Sequence, residues 1–224
     1  MYRMKSLFTG AGDFVRACLD ALVPRRARTM RLQSLSPESL PVRARTHELL
    51  GARVITLMNY EERTTADLIQ SLKYDGSGRA ARLCSSVVAD YLTDELSSER
   101  LFTTKRVLLI PVPLHGARAR ERGFNQIELV LRCLPTEFRR GPLASLHAEA
   151  LERTRETKQQ TRLPRSERLS NVAGAFSCPA PEKIRGARIY LIDDVATTGA
   201  TLVNAATPLR SAGAEVTLLA LARA

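Results

Sequence analysis

Residues 189–201 read Ile-Tyr-Leu-Ile-Asp-Asp-Val-Ala-Thr-Thr-Gly-Ala-Thr, and the reading of the whole chain turns on them. Ile189 to Ile192 form a short apolar run of the kind buried inside a sheet, predicting a strand over 188–193. Asp193 and Asp194 stand where that strand is expected to end, which would place both carboxylates in solvent. A small, hydroxyl-rich turn follows, Thr197-Thr198-Gly199-Ala200-Thr201. An amphipathic helix over 201–212 would then carry Leu202, Ala205, Ala206 and Leu209 on its buried face, with Gly213 as its stop.

The chemistry of such a turn follows from its parts. A helix N-terminus leaves backbone N–H groups without partners and carries partial positive charge, so it accepts a phosphate. Gly199 lets the backbone approach closely and take positive φ, so a side chain there is expected to fill the phosphate's place. Thr197, Thr198 and Thr201 add donors without bulk. The two aspartates would repel a phosphate. They suit sugar hydroxyls, or a hydrated Mg²⁺ shared with diphosphate oxygens. A plain strand-turn-helix with a capping threonine would account for Thr201, but not for two acids and a glycine in this order.

Outward from this stretch, strands and helices alternate. Val54 to Tyr60 reads as a strand, Thr65 to Tyr74 as a short helix and Arg79 to Leu96 as a longer one. A strand over 107–112 ends in Pro111 and Pro113, a helix runs over 126–134, and Val216 to Leu221 is a last strand. Asp13 to Val23 predicts an amphipathic helix, while 24–46 is rich in Arg, Ser and Pro and reads as a linker or irregular module. The alternation predicts an α/β fold with a mainly parallel twisted sheet flanked by helices. The division expected is an N-terminal helical or irregular extension over 1–50 and a main domain over 51–224.

The acidic-pair loop closely resembles the phosphoribosyl-diphosphate (PRPP) loop of type I phosphoribosyltransferases. Other segments narrow the family. Residues 107–126 read VLLIPVPLHGARARERGFNQ, with Arg118, Arg120 and Arg122 ahead of Gly123-Phe124-Asn125-Gln126. Further on come Arg153, Arg155, Thr157, Gln160, Arg168 and Asn171. This order of motifs resembles the ComF/GntX family over about residues 54–223. The resemblance implies that Asp193 and Asp194 meet the ribose 2′ and 3′ hydroxyls and that Ala196, Thr197, Thr198, Gly199, Ala200 and Thr201 wrap the 5′-phosphate. Pro113, Leu114, His115, Arg118, Arg120 and Arg122 become diphosphate-binding candidates. Gly123, Phe124, Asn125, Gln126, Arg153, Gln160, Arg168 and Asn171 are further motif positions. The implied chemistry is Mg²⁺-dependent phosphoribosyl transfer with release of diphosphate, linked to DNA uptake. Two alternatives stay open: a non-catalytic module binding single-stranded DNA and a DNA-uptake helicase, or a regulator that senses PRPP or nucleotides. Asn125 and Gln126 either cap the helix after them or belong to the site. Phe124 and Phe176 are read as core aromatics.

The family commonly begins with a four-cysteine zinc module. Here Leu22-Val23-Pro24 is followed by Arg25 and Arg26 instead of cysteines. Cys18, Cys84, Cys133 and Cys178 are scattered without a C-x-x-C pair, so no zinc is expected and all four are read as reduced, mostly buried thiols. His47, His115 and His147 are isolated and offer no metal set.

Composition bounds the rest. The 224 residues are 44% hydrophobic but only 5% aromatic, which predicts an aliphatic core. No apolar run approaches the roughly 20 residues that span a bilayer, and no secretory signal is evident, so a cytoplasmic location without membrane contact is expected. Net charge is +11, concentrated in residues 1–50 (net +5) and 101–175 (net +7). Such a field attracts PRPP, nucleotides or single-stranded nucleic acid. It is built from 29 arginines and only 5 lysines.

Overall fold

The apolar runs that read as strands do pair, and their order sets where a ligand can sit. The computed structural model describes residues 25–99, 105–114, 123–154 and 174–224. The helix expected over Asp13 to Val23 lies outside them. Helix α1 (Arg25–Gln33) is followed by strands β1 (Arg45–Leu49) and β2 (Ala52–Asn59), then by helices α2 (Arg63–Asp75) and α3 (Gly78–Glu99). Strand β3 (Val107–Pro111) leads through α4 (Gln126–Arg132) and α5 (Thr136–Arg139) to β4 (Ser145–Leu146). A small ribbon of β5 (Glu152–Arg153) and β6 (Phe176–Ser177) precedes β7 (Arg188–Ala196), α6 (Ala200–Ser211) and β8 (Glu215–Arg223). The main sheet has six strands in the order β1-β2-β8-β7-β3-β4. Within this sheet, among the described residues, only the β1–β2 pair is antiparallel. This is the expected α/β class, and it is compatible with the type I phosphoribosyltransferase fold.

Each face of the sheet buries its own aliphatic cluster. On one face α1 to α5 bring Leu32, Leu68, Leu72, Val88, Ile127, Leu131 and Phe138 against Leu57, Tyr190, Ile192 and Leu219. On the other, α6 and the β5–β6 ribbon bring Leu202, Ala205, Leu209, Leu151 and Phe176 against Leu108, Ile110, Ile189, Leu191 and Ala220. Strand alternation makes this division, with even and odd residues of β7 pointing opposite ways.

The connections then open a crevice. After β3 the chain turns to the first face, into α4; after the neighbouring β7 it turns to the second, into α6. Adjacent parallel strands whose helices leave to opposite faces form a switch point, and ligands bind beyond the strand carboxyl ends there. The start of α4 and the start of α6 flank that point.

Three sequence expectations are corrected. Residues 24–46 are not uniformly irregular, because α1 forms within them. Buried Arg28 donates to Gln70 Oε1 (2.9 Å) and Asp75 Oδ2 (2.6 Å), and Arg31 grips both Asp67 oxygens (2.6 and 2.9 Å). Two ion pairs to α2, one of them bidentate, thus hold an arginine-rich helix that no apolar stripe would announce. Strand β1 (Arg-Thr-His-Glu-Leu) has no hydrophobic alternation either; a polar edge strand is set by pairing with β2, with Leu49 its one core contact. Cys133 is exposed, at the end of α4, while Cys84 is buried and Cys178 half-buried. All three are free thiols.

Candidate functional site

β7 does not stop at Asp193. It continues to Ala196, in register with β8 through Asp193↔Ala220, Val195↔Ala222 and Ala196↔Arg223. The acidic pair therefore lies inside a strand, and alternation sends its two side chains to opposite faces. This corrects the expectation that both carboxylates sit in solvent at a strand end.

Asp194, 7% exposed, turns to the face of α2 and α4. Its Oδ1 lies 3.1 Å from Lys73 Nζ, and its Oδ2 accepts from Gln126 Nε2 at 2.6 Å. Burial works against the Lys73 ammonium, but the attraction and hydrogen bond of Asp194, with Asp193 and Tyr60 behind them, hold its pKa above the ordinary value.

Asp193 takes the other direction and lines a shallow open pocket. The pocket is lined by Asp193, Val195, Ala196, Thr197, Gly199, Ala200, Thr201 and Leu202. Asp193 Oδ1 accepts the backbone N–H of Asp194 at 2.8 Å. Burial, then the like charge of Asp194, push the Asp193 carboxyl up to about 7, against the pull of that N–H, Lys73 and Arg153. Arg153, on β5, lays its guanidinium 5.2 Å from the centre of the Phe176 ring.

The loop itself is short. Gly199 caps α6 at φ +80°, and no side-chain hydrogen bond closes the helix from that position. Thr198 Oγ1 accepts from Ala200 N at 3.4 Å, and Thr197 is exposed. Behind the loop lies the β1 residue Leu49: a Cβ built on Gly199 would come 2.8 Å from Leu49 Cβ. Gly199 is thus required by close packing as well as by its φ. Ala196 is the last residue of β7, and its carbonyl accepts from Arg223 Nη1 (2.9 Å) and the Ala224 N–H (3.1 Å).

On the β3 side, Pro113 and Leu114 are half-buried just beyond the strand, where the Val112 N–H donates to Ile192 O at 2.8 Å. The Gly-Phe-Asn-Gln segment divides its work. Asn125 is the helix cap, its Oδ1 accepting from Ile127 N (2.9 Å) and Glu128 N (3.3 Å) while its Nδ2 donates to Val112 O (3.0 Å). Gln126 turns instead to the acidic pair, donating through its side-chain amide to Asp194. Gly123 is exposed at φ +73°. Phe124 is only half-buried and packs against Gly76, the left-handed residue ending α2; Phe176 is buried in the core as expected. His115, Arg118, Arg120, Arg122, Gln160, Arg168 and Asn171 lie outside the described residues.

The fold therefore brings together Asp193, the 197–201 loop, Arg153, Asp194 and Gln126. It adds Lys73, which sequence motifs passed over. A lysine in a chain dominated by arginine was the available signal.

A divalent cation fits this donor set in a limited way. Asp193 lines the pocket and Asp194 is already engaged, and no group of three or more His, Cys, Asp or Glu that could hold a metal forms among the described residues. Mg²⁺ commonly takes one or two carboxylates and completes its shell with substrate oxygens and water, which this site allows.

No protein-family model matches the chain. The DNA utilization protein YhgH of Shigella flexneri is 33% identical over 175 residues, covering 76% of this chain and 72% of that protein. YhgH of Escherichia coli (strain K12) is 32% identical over 175 residues, with the same coverage. The competence protein ComFC of Bacillus subtilis is 30% identical over 158 residues, 70% of this chain and 53% of that protein. A mostly parallel α/β sheet, an acidic-pair loop at its switch point and relatives of this likeness over most of the sequence lead to one assignment: the chain belongs to the ComF family.

Proposed function

We propose that this protein binds PRPP at the β7–α6 loop and acts as a Mg²⁺-dependent phosphoribosyltransferase in the use of incoming DNA. The observation that carries the reading is the pocket, lined by Asp193 and by the loop leading into α6. The α6 N-terminus supplies backbone donors and partial positive charge for the 5′-phosphate, with the threonine hydroxyls beside them. Asp193 accepts hydrogen bonds from ribose hydroxyls and opposes the positive charge that develops on the ring as diphosphate leaves. Arg153 offers a cation on the same side. Mg²⁺, held by Asp193 and by oxygens of the substrate, would neutralise charge on the departing diphosphate. The link to DNA rests on the names of the relatives and on the net charge of +11.

Calorimetric titration of the full chain with PRPP, with and without Mg²⁺, tests the pocket. Saturable, Mg²⁺-enhanced binding is expected, and an absence of heat under both conditions would defeat the reading. Diphosphate release on adding candidate acceptors separates enzyme from binder.

The basic charge and the competence and DNA-utilization relatives favour a second reading on the same fold, a module that binds single-stranded DNA and a DNA-uptake helicase. Affinity for single strands should then fall steeply with salt, by about 100-fold or more between 50 and 200 mM if several phosphates are neutralised. Binding that ignores salt would remove it.

A further inference from the structure

We propose that Lys73 is a positioning residue: with Gln126 it commits Asp194 to a counter-ion role, leaves Asp193 as the acid of the pair that meets the ligand, and sets how the pocket divides its affinity between cation and anion. The inference rests on the reading of the pocket as a site for a magnesium-bound sugar phosphate.

The two acids are adjacent in sequence but not equivalent in space. Both oxygens of Asp194 are engaged, Oδ1 by Lys73 from α2 (3.1 Å) and Oδ2 by Gln126 from α4 (2.6 Å). Two elements converge on one carboxylate from one face of the sheet, and that carboxylate is not among the residues lining the pocket. Asp193 does line it, and its Oδ1 contact with the next backbone N–H fixes its own orientation.

The choice of lysine fits this division. Arginine is the default cation of the chain, 29 of its 34 basic residues. A guanidinium fork tends to take both oxygens of a carboxylate, as Arg31 does with Asp67. An ammonium is a point charge that takes one, which leaves the second for the Gln126 amide. Lys73 is also anchored at long range, since α2 is tied to α1 through Asp67 and Asp75 and ends at Gly76 beneath Phe124. The Phe-Asn-Gln segment thus supports the ammonium and the amide together.

Charge gives the inference its direction. With both carboxyls ionised, as at the pH 8 used for the test, Asp193, Asp194 and Lys73 sum to one negative charge. Without the ammonium the site carries two, so it should hold a free divalent cation more tightly and a phosphorylated anion less tightly. A lysine needed only for folding would, when removed, weaken both.

The test uses the full chain with Lys73→Met, Lys73→Gln and Lys73→Arg. The probes are Mn²⁺ alone, followed by electron paramagnetic resonance, and ribose 5-phosphate in excess chelator, followed by calorimetry. Lys73→Met should tighten Mn²⁺ and weaken ribose 5-phosphate, each by about tenfold, the scale of one unit charge acting across a partly shielded site. Lys73→Arg keeps the charge and should therefore hold the balance between cation and anion near that of wild type, even where the fork competes with the Gln126 amide for Asp194. Lys73→Gln keeps a donor for Asp194 without charge, and serves where the Met variant fails to fold. Thermal unfolding of Lys73→Met, Asp194→Asn and the pair should show coupling, because the second change costs little once the first is made. Asp194→Asn should also lose far less PRPP affinity than Asp193→Asn. Weakening of both probes together, additive unfolding losses, or equal PRPP losses at the two acids would overturn the inference while leaving the pocket's function intact. Wild-type protein that binds neither ribose 5-phosphate nor PRPP, yet shows the coupling, would overturn the functional reading and this inference with it.

Discussion

Asp193→Asn is expected to stabilise the ligand-free protein at pH 8 while removing its affinity for PRPP. The Asp193 carboxyl is raised to about 7, first by burial and then by the charge of Asp194. A carboxyl whose folded-state pKa lies above its unfolded value binds its proton more tightly when folded. Its contribution to stability is fully present below the unfolded value of 3.8 and is lost as pH rises through about 7. At pH 8 wild-type protein therefore holds a partly buried charge, only partly offset by the Asp194 N–H, Lys73 and Arg153, that asparagine lacks. The gain should be on the order of 1–3 kcal/mol, about 5 °C in thermal midpoint for a chain of this size. At pH 5 wild-type Asp193 is largely protonated when folded but ionised when unfolded, so the gain should be smaller than at pH 8, and it should vanish only below the unfolded value of 3.8. The same substitution deletes the acceptor for sugar hydroxyls, so PRPP binding should weaken by about 100-fold, the scale of a lost charge-assisted hydrogen bond. Paired thermal scans at pH 5 and pH 8 with one calorimetric titration check both halves. A variant less stable than wild type at pH 8, or a gain equal at both pH values, would show that the carboxylate is well compensated and not strained.

Gly199→Val should cost the protein its stability before it costs the ligand its place. Valine at φ +80° meets the penalty that non-glycine residues carry there, about 1–3 kcal/mol. Its Cβ would also come within 2.8 Å of Leu49 Cβ, and overpacking of this kind adds about 1–3 kcal/mol. A fall of roughly 10 °C or more in thermal midpoint is expected at 2–4 °C per kcal/mol. A companion pair separates strain from exclusion of the phosphate. Leu49→Gly in the background of Gly199→Ala should cost less stability than Leu49→Gly in wild type, because it removes the Cβ that the new side chain meets and leaves φ unchanged. If Leu49→Gly costs as much in both backgrounds, the contact across β1 is not what demands the glycine.

These two expectations trace how far the chain could be read directly. The apolar run before Asp193 and the Thr-Thr-Gly turn after it were legible because local chemistry dictates them. Four aliphatic residues in a row seek burial, small hydroxyls and a glycine make a tight anion-sized turn, and Leu202, Ala205 and Leu209 recur at helical spacing. Asn125 was legible as a possible cap for the same reason. The arginine-rich α1 and the polar β1 were not, because neither buries an apolar stripe of its own; ion pairs to α2 hold the first and pairing with β2 the second.

By itself, then, the order of residues determined the α/β class, the strand-turn-helix and the family to which it belongs, since each follows from short-range preference and pattern. Only the tertiary structure decided that the adjacent acids part company. Pairing with β8 carries β7 on to Ala196, and a pleated strand must send neighbouring side chains to opposite faces. One aspartate is thereby delivered to an ammonium and an amide from distant helices, and the other to the open pocket.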